Sequence, residues 1–239
     1  MNPKQRAAEA AVSYVRDGMV VGLGTGSTAD HFLQALATAM TSGKIRNLRG
    51  VPTSRQSELR AGQLGIPLAT LAQCPSPDIT IDGADEVDPH LNLIKGLGGA
   101  LLREKVVAQN SKTLLIIADA SKTVSKLGEH SPLPVEVTIF GHEVQSQFLR
   151  DLGCEPTLRH DATGQIFVTD NGNYIYDCRF PGISDPADLE SKLKSRAGIV
   201  ETGLFLNLAQ IVLIGTDTGV ETRISSPLPP LYSKGGGLG

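Results

Sequence analysis

The chain has 239 residues, enough to bury a full hydrophobic core as one large domain or two small ones. Its composition is that of an ordinary soluble protein, with 40% hydrophobic and 20% charged residues. A formal net charge of −3 and a pI near 6.0 give no basic footprint for nucleic acid, so any anion-binding lysines must act locally, in a site. No uninterrupted apolar run approaches a membrane span, and Met1–Arg6 with the alanine-rich stretch behind it lacks the apolar core of a signal peptide. Glu9 and Asp17 argue against a transit peptide, and a cytosolic location is expected. Cys74, Cys154 and Cys178 are widely spaced, odd in number and outside any CxxC pattern. They read as small semi-apolar residues of a reducing compartment, with no metal or disulfide framework.

The first half alternates helical and strand patterns. A helix over residues 4–17 is followed by a strand at Met19–Gly24, a helix at Ser27–Met40 and a strand at Leu48–Thr53. Further units are a helix from about Arg55 to Leu64, a strand at Ile79–Asp82, a helix at Gly99–Asn110 and an apolar strand at Thr113–Ala118. Such β-α repetition predicts an α/β fold, a Rossmann-like open parallel sheet covered by helices. Ligands of such sheets sit at the carboxyl ends of strands, and Gly24, Asp82 and Ala118 are such ends.

After Gly128 the texture changes. Ser131-Pro132-Leu133-Pro134 punctuates the chain, and a strand at Val135–Ile139, a helix at His142–Leu152 and strands near Thr157–His160 and Ile166–Thr169 follow. Asp170-Asn171-Gly172-Asn173 is a hairpin signal leading into Tyr174–Phe180. Asp185-Pro186 opens a helix to Arg196, and Gly198–Phe205 reads as a closing strand. The order β-α-β-β-α-β predicts an inserted ferredoxin-like α+β domain over residues 130–204. Residues 1–129 plus 205–239 then form the Rossmann-like domain, re-entered through Ile211–Ile214 and Val220–Ile224. The proline- and glycine-rich tail from Ser225 to Gly239 is expected to be poorly ordered.

Four segments carry the chemistry. Gly22-Leu23-Gly24-Thr25-Gly26-Ser27-Thr28-Ala29 lies between a strand and a helix, where free amides and the helix dipole favour a phosphate. Its Gly24-x-Gly26-x-x-Ala29 spacing is formally a dinucleotide fingerprint. However, the second strand ends Val51-Pro52-Thr53-Ser54 without the acidic residue a ribose needs, and no Walker lysine is present. Glycines that merely make a tight turn are the bland reading. The hydroxyls of Thr25, Ser27 and Thr28 favour a cradle for a single phosphate.

Asp82-Gly83-Ala84-Asp85-Glu86-Val87-Asp88 packs four carboxylates into one loop, too many to ionise together in a closed pocket. Glu86 and Asp88 read as solvated loop charges, and Asp82 and Asp85 as ligands for hydroxyls or a metal. A DxxD pair alone is a weak metal signal, and no histidine completes a transition-metal site. His31, His90, His130, His142 and His160 fall into no triad or ligand pattern.

Lys95-Gly96-Leu97-Gly98 opens a second glycine-rich loop ahead of the helix bearing Glu104. At about 100° per residue, Glu104 points within roughly 60° of Ala100, Leu101, Val107 and Ala108, in the middle of an apolar arc. Arg103 and Lys105 fall outside that arc and read as surface charges. An inward carboxylate either pairs with a cation or works as a general base whose pKa is raised by desolvation, and its place behind a glycine loop and Lys95 favours the base. Lys122, after Ala118-Asp119-Ala120-Ser121, is a candidate phosphate or hydroxyl partner.

These segments, in this order, resemble the A-type ribose-5-phosphate isomerases. The same family's pattern is matched by Arg103-Glu104-Lys105, Pro132-Leu133-Pro134-Val135-Glu136, Val168-Thr169-Asp170-Asn171-Gly172-Asn173 and Gly203-Leu204-Phe205. The resemblance covers essentially the whole chain except the tail. It implies reversible aldose–ketose isomerisation of D-ribose 5-phosphate and D-ribulose 5-phosphate through an enediol, with Glu104 as base. Asp82, Asp85 and Lys95 would be the other catalytic groups. The substrate loops would be Thr25, Gly26, Ser27 and Thr28, then Asp82, Gly83, Ala84 and Asp85, then Lys95, Gly96, Leu97 and Gly98. Lys122 and Lys4 would lie on the phosphate side.

No cofactor or metal is implied, because the adjacent carbonyl acidifies the proton. The partner is a small sugar phosphate, with no nucleic acid or membrane, and a homodimer or dimer of dimers is expected. Leu97 stands where the family commonly has glycine, and tuning of affinity through an altered loop is expected. The rivals are a non-catalytic sugar-phosphate sensor, an acyl or CoA transferase using Glu104 as nucleophile, and a dinucleotide oxidoreductase. A sensor needs no base in an apolar arc, and a transferase would exchange with acyl-CoA.

Overall fold

The structure is a computed structural model that describes residues 2–225, and the greater part of the tail lies outside the described residues. In chain order the first elements are α1 (Pro3–Val12), β1 (Val20–Leu23), α2 (Ser27–Thr41), β2 (Arg49–Pro52) and α3 (Arg55–Gln63). Next come β3 (Ile79–Gly83), β4 (Glu86–Val87), β5 (Leu93–Ile94), α4 (Leu101–Asn110) and β6 (Leu114–Asp119), closed by a 3₁₀ turn at Ala120–Lys122. Then follow β7 (Leu133–Val137), α5 (His142–Asp151), β8 (Glu155–Leu158), β9 (Tyr174–Arg179), α6 (Pro186–Lys194), β10 (Ile199–Thr202), β11 (Leu204–Phe205), β12 (Ile211–Gly215) and β13 (Val220–Ile224).

The main sheet runs β13-β12-β6-β3-β1-β2, parallel throughout except for the edge strand β13. Its inner strands β3 and β6 are buried along nearly their whole length because helices and loops cover both faces, and β6 is a near-continuous apolar run. On one side Ala7, Ala8 and Ala11 of α1 and Phe32, Leu33 and Leu36 of α2 pack against Ile81, Leu115 and Leu213. On the other, Leu93, Phe205 and Ala108 meet Leu114, Ile116 and Ile214. Alanines on α1 let the two helices and the sheet approach closely, and a capping box between Asn2 and Gln5 with Pro3 at the first turn fixes where α1 begins.

The second sheet is antiparallel, in the order β10-β7-β9-β8, with α5 and α6 joining its strands. That is the split β-α-β arrangement of the ferredoxin-like module. Leu133, Val135, Tyr176, Cys178, Leu149 and Leu193 form its core. A third, short sheet, β11-β5-β4, was not foreseen from the sequence, and it sets Lys95 directly after β5.

Three element readings need correction. The first helix stops at Val12 and not at residue 17, because Tyr14 and Val15 turn to three-residue bonds with Ala11 and Val12. Asp17 then accepts the Arg46 N–H, docking this segment on the next loop. Ile166–Thr169 is no strand: it makes a single bridge, His160 to Ile166, and two of its other amides turn to local acceptors, Phe167 to the Arg159 carbonyl and Thr169 to the Asn173 carbonyl. The closing strand predicted over Gly198–Phe205 is divided at Gly203 between the second and third sheets, and Gly203 both donates to the Pro134 carbonyl and accepts from the Lys95 N–H.

Candidate active site

The parallel register of β1 with β3 and of β3 with β6 brings three loops together at the carboxyl edge of the sheet: Gly24–Thr28, Asp82–Asp85 and Asp119–Lys122. Asp82 joins the first two. Its Oδ1 accepts the N–H of Thr25 at 3.0 Å and that of Gly83 at 2.7 Å. Gly24 makes this approach possible, since a Cβ there would stand 2.5 Å from the Asp82 Cα. The chain then turns into α2, whose first amides have no acceptor within the helix.

The Thr25 hydroxyl does not join the predicted phosphate cradle. It bonds Thr53 Oγ1 at 2.9 Å and Ser54 Oγ at 2.8 Å, and Thr53 in turn donates to the Leu23 carbonyl. Thr53 and Ser54 were read from the sequence only as the absence of an acidic residue. In the fold they brace the turn, a role legible only once β1 and β2 are known to be neighbours.

Lys95 is 2% exposed and lies at the centre of the site. Its ammonium donates to the Gly83 carbonyl at 2.6 Å and lies 3.1 Å from Asp82 Oδ2 and 3.3 Å from Glu104 Oε1. The Phe205 ring covers it, with the nitrogen 5.5 Å from the ring centre. Burial by itself would drive the ammonium towards neutrality, but the charges of Asp82, Glu104 and Asp85 outweigh it and hold Lys95 above its ordinary range.

Glu104, on the first turn of α4, is 4% exposed, and its Oε2 has no hydrogen-bond partner. Burial pushes its carboxyl up to about 8 against the pull of Lys95, with Asp82 and Asp85 adding repulsion. Glu104 has only Lys95 as a partner, whereas Asp82 also accepts two backbone N–H groups.

A small cleft of about 110 Å³ opens above this group. It is bordered by Lys4, Thr25, Gly26, Ser27, Thr28, Gly83, Ala84, Asp85, Lys95, Gly96, Gly98, Glu104 and Lys122, which span all four segments singled out in the sequence. Lys4 reaches across to donate to Ser27 Oγ at 3.0 Å. Asp82 and Leu97 are the two named residues that do not border the cleft: Asp82 lies behind Lys95, and Leu97 is 40% exposed. A larger, mainly apolar groove of about 530 Å³ runs beside Leu68, Leu71, Leu102 and Val106, and contains neither Lys95 nor Glu104. Among the described residues no group of three or more His, Cys, Asp or Glu is arranged to hold a metal ion.

The structure revises several residue readings. Glu86 is fully buried, and its carboxylate accepts the backbone N–H groups of Gly128, His130 and Ser131. Asp88 likewise accepts from His90 and Asn92, so neither is a solvated loop charge. Lys105 is 2% exposed, donating to Glu201 at 2.7 Å and to the Thr202 carbonyl at 2.8 Å, while Arg103 reaches Asn171 and the Asp170 carbonyl. Leu97 does not occupy the left-handed region; Gly96 does, with φ of 102°, and a leucine at position 97 therefore imposes no backbone strain.

Known proteins with this arrangement agree with one another. The family model described as ribose 5-phosphate isomerase A (phosphoriboisomerase A) matches residues 49–219. A ribose-5-phosphate isomerase A of Roseiflexus castenholzii is 50% identical over 217 residues, covering 91% of this chain and 93% of the relative. A solved D-ribose-5-phosphate isomerase in complex with phospho-erythronic acid superposes with a TM-score of 0.91 at 40% identity, covering 94% of this chain and all of its own. The ribose 5-phosphate isomerase of Plasmodium falciparum gives a TM-score of 0.89 at 42% identity, covering 92% of this chain and 97% of its own. A family match over most of the chain, relatives at half identity and solved structures of the same shape place this chain in the ribose-5-phosphate isomerase A family.

Proposed function

We propose that this isomerase interconverts D-ribose 5-phosphate and D-ribulose 5-phosphate through an enediol, with Glu104 carrying the proton. The observation that carries the reading is the Glu104 carboxylate itself, buried at the edge of the cleft, 3.3 Å from Lys95 and with Oε2 unpartnered. In the open-chain aldose the C1 carbonyl acidifies the C2 hydrogen. Glu104 takes that proton and returns it to C1, while the O2 hydroxyl proton moves to O1, so that the aldehyde becomes a primary alcohol and C2 a ketone. A base of raised pKa suits both directions, because it gives the proton up as readily as it takes it.

Lys95 and the amides of Gly96 and Gly98 stabilise the oxygen that gains charge, and Asp85 handles hydroxyl protons at the rim. Asp82 acts from behind, holding the Lys95 ammonium and the Thr25 turn in register. Ser27, Thr28, Lys4 and Lys122, with the amino end of α2, take the phosphate, whose binding energy positions the reacting carbons. The complex of the related isomerase with phospho-erythronic acid supports a phosphorylated sugar as the ligand of this cleft. The chain is further proposed to act in the cytoplasm as a homodimer or dimer of dimers, with residues 130–204 as its small domain. Exposed Phe140 and Val144 on that domain support self-association. No described helix is long and apolar enough to cross a membrane.

The test is deuterium exchange. Incubating the parent and Glu104→Gln with ribose 5-phosphate in D₂O should show exchange at the reacting carbon and ketose formation in the parent only. A loss of about 10²–10⁴-fold is expected for a removed base. Turnover near the parent rate in the variant would remove Glu104 from the role.

A further inference from the structure

Arg159 lies outside the four segments to which the sequence assigns chemistry, just beyond β8 in the small antiparallel module. Its guanidinium grips Asp177 of β9 with two prongs: Nε donates to Oδ2 at 2.8 Å, and Nη2 pairs with Oδ1. The paired carboxylate fixes the plane of the fork, which a lysine could not achieve. Nη1 is left to donate to the carbonyl oxygens of Gly96 at 3.0 Å and Leu97 at 3.1 Å. The Phe167 ring lies 5.7 Å from the guanidinium and packs on Gly99, where a Cβ would come within 2.4 Å of it. From the opposite side Asp85 accepts the Leu97 N–H at 3.0 Å. The glycine loop is thus held at its outer edge by the small module and at its inner edge by a cleft residue.

We propose that Arg159, oriented by Asp177, is a positioning residue for the isomerase reaction: it fixes the Gly96–Gly98 loop against the reacting end of the substrate, so that the small module helps set the catalytic rate. The inference rests on the reading of the cleft given above. The phosphate end of the cleft is made by Ser27, Thr28, Lys4 and Lys122, none of which Arg159 touches. Loosening the loop therefore disturbs the step at the reacting carbons more than the capture of the sugar phosphate, and displacements on the order of 1 Å cost up to about 10²-fold in rate.

The experiment measures kcat, KM and Tm for Arg159→Lys, Asp177→Asn and the double variant, with Glu104→Gln alongside, well below the lowest Tm. Each single variant is expected to lose about 10–100-fold in kcat with KM within about threefold of the parent. The double variant is expected to fall little further, because both changes release one fork. A folded variant with parental kcat and only a lowered Tm overturns the inference, as does a loss confined to KM. If Arg159→Lys fails to fold, the near-isosteric Asp177→Asn decides on the same criterion. Should Glu104→Gln keep its turnover while Arg159→Lys loses it, the base assignment falls and the loop inference stands.

Discussion

A carboxylate with one ammonium to share and a second carboxylate competing for it answers to pH in a way a solvated one does not. Because burial lifts Glu104 to about 8, it is largely protonated, and so unable to accept a proton, through the neutral range. Activity in the aldose-to-ketose direction should therefore rise as pH rises through that region and fall tenfold per unit well below it. The check is a pH profile of kcat/KM, which reports ionisations of the free enzyme. A profile flat from pH 6 to 9 would contradict the assignment. The inward aspect of Glu104 was legible because helical angle alone sets it. Lys105, one position on, was misread because its partner Glu201 is far along the chain and only the fold brings the two together. The Thr25 hydroxyl went astray for the same reason, being claimed by a strand end that the sequence does not reveal as its neighbour.

At the scale of elements, carboxylates act here as pegs for backbone that has no strand partner. Glu86, on β4, satisfies three N–H groups of the loop entering β7, at 2.6, 2.7 and 2.6 Å. Glu86→Gln keeps the shape but turns one acceptor into a donor, leaving a buried N–H unmatched at a cost of about 1–3 kcal/mol. The urea midpoint should drop with an unchanged m-value while kcat holds. The long periodic helix α2 and the apolar strand β6 were readable from sequence, because their burial pattern is written in the chain itself. The segment 166–169 was not, because its β-like pattern does not reveal that the Phe167 and Thr169 amides bond locally, to the Arg159 and Asn173 carbonyls, instead of along a strand. The division of the last strand at Gly203 was equally hidden, since it depends on two sheets competing for one chain.

For the whole molecule, the proposed self-association gives a prediction independent of chemistry. Sedimentation at micromolar concentration should return two or four times the mass of one 25.2 kDa chain, and a monomer that is fully active would overturn it. The alternation of helix and strand announced the main sheet, and the β-α-β-β-α-β order announced the second. Neither announced the short third sheet, whose strands of two residues are too brief to leave a pattern.

The place where the chain returns from one sheet to the other has a consequence for how the enzyme meets its substrate. Gly203 is sewn to Pro134, at the outward crossing, and to Lys95, beside the reacting groups, by main-chain bonds of 2.8 and 2.9 Å. Any displacement of one sheet against the other at this point would have to break main-chain hydrogen bonds next to the central ammonium. The position of Lys95 is thereby tied to the joint between the two sheets, so that the packing of the small module is felt by the main chain that carries the ammonium.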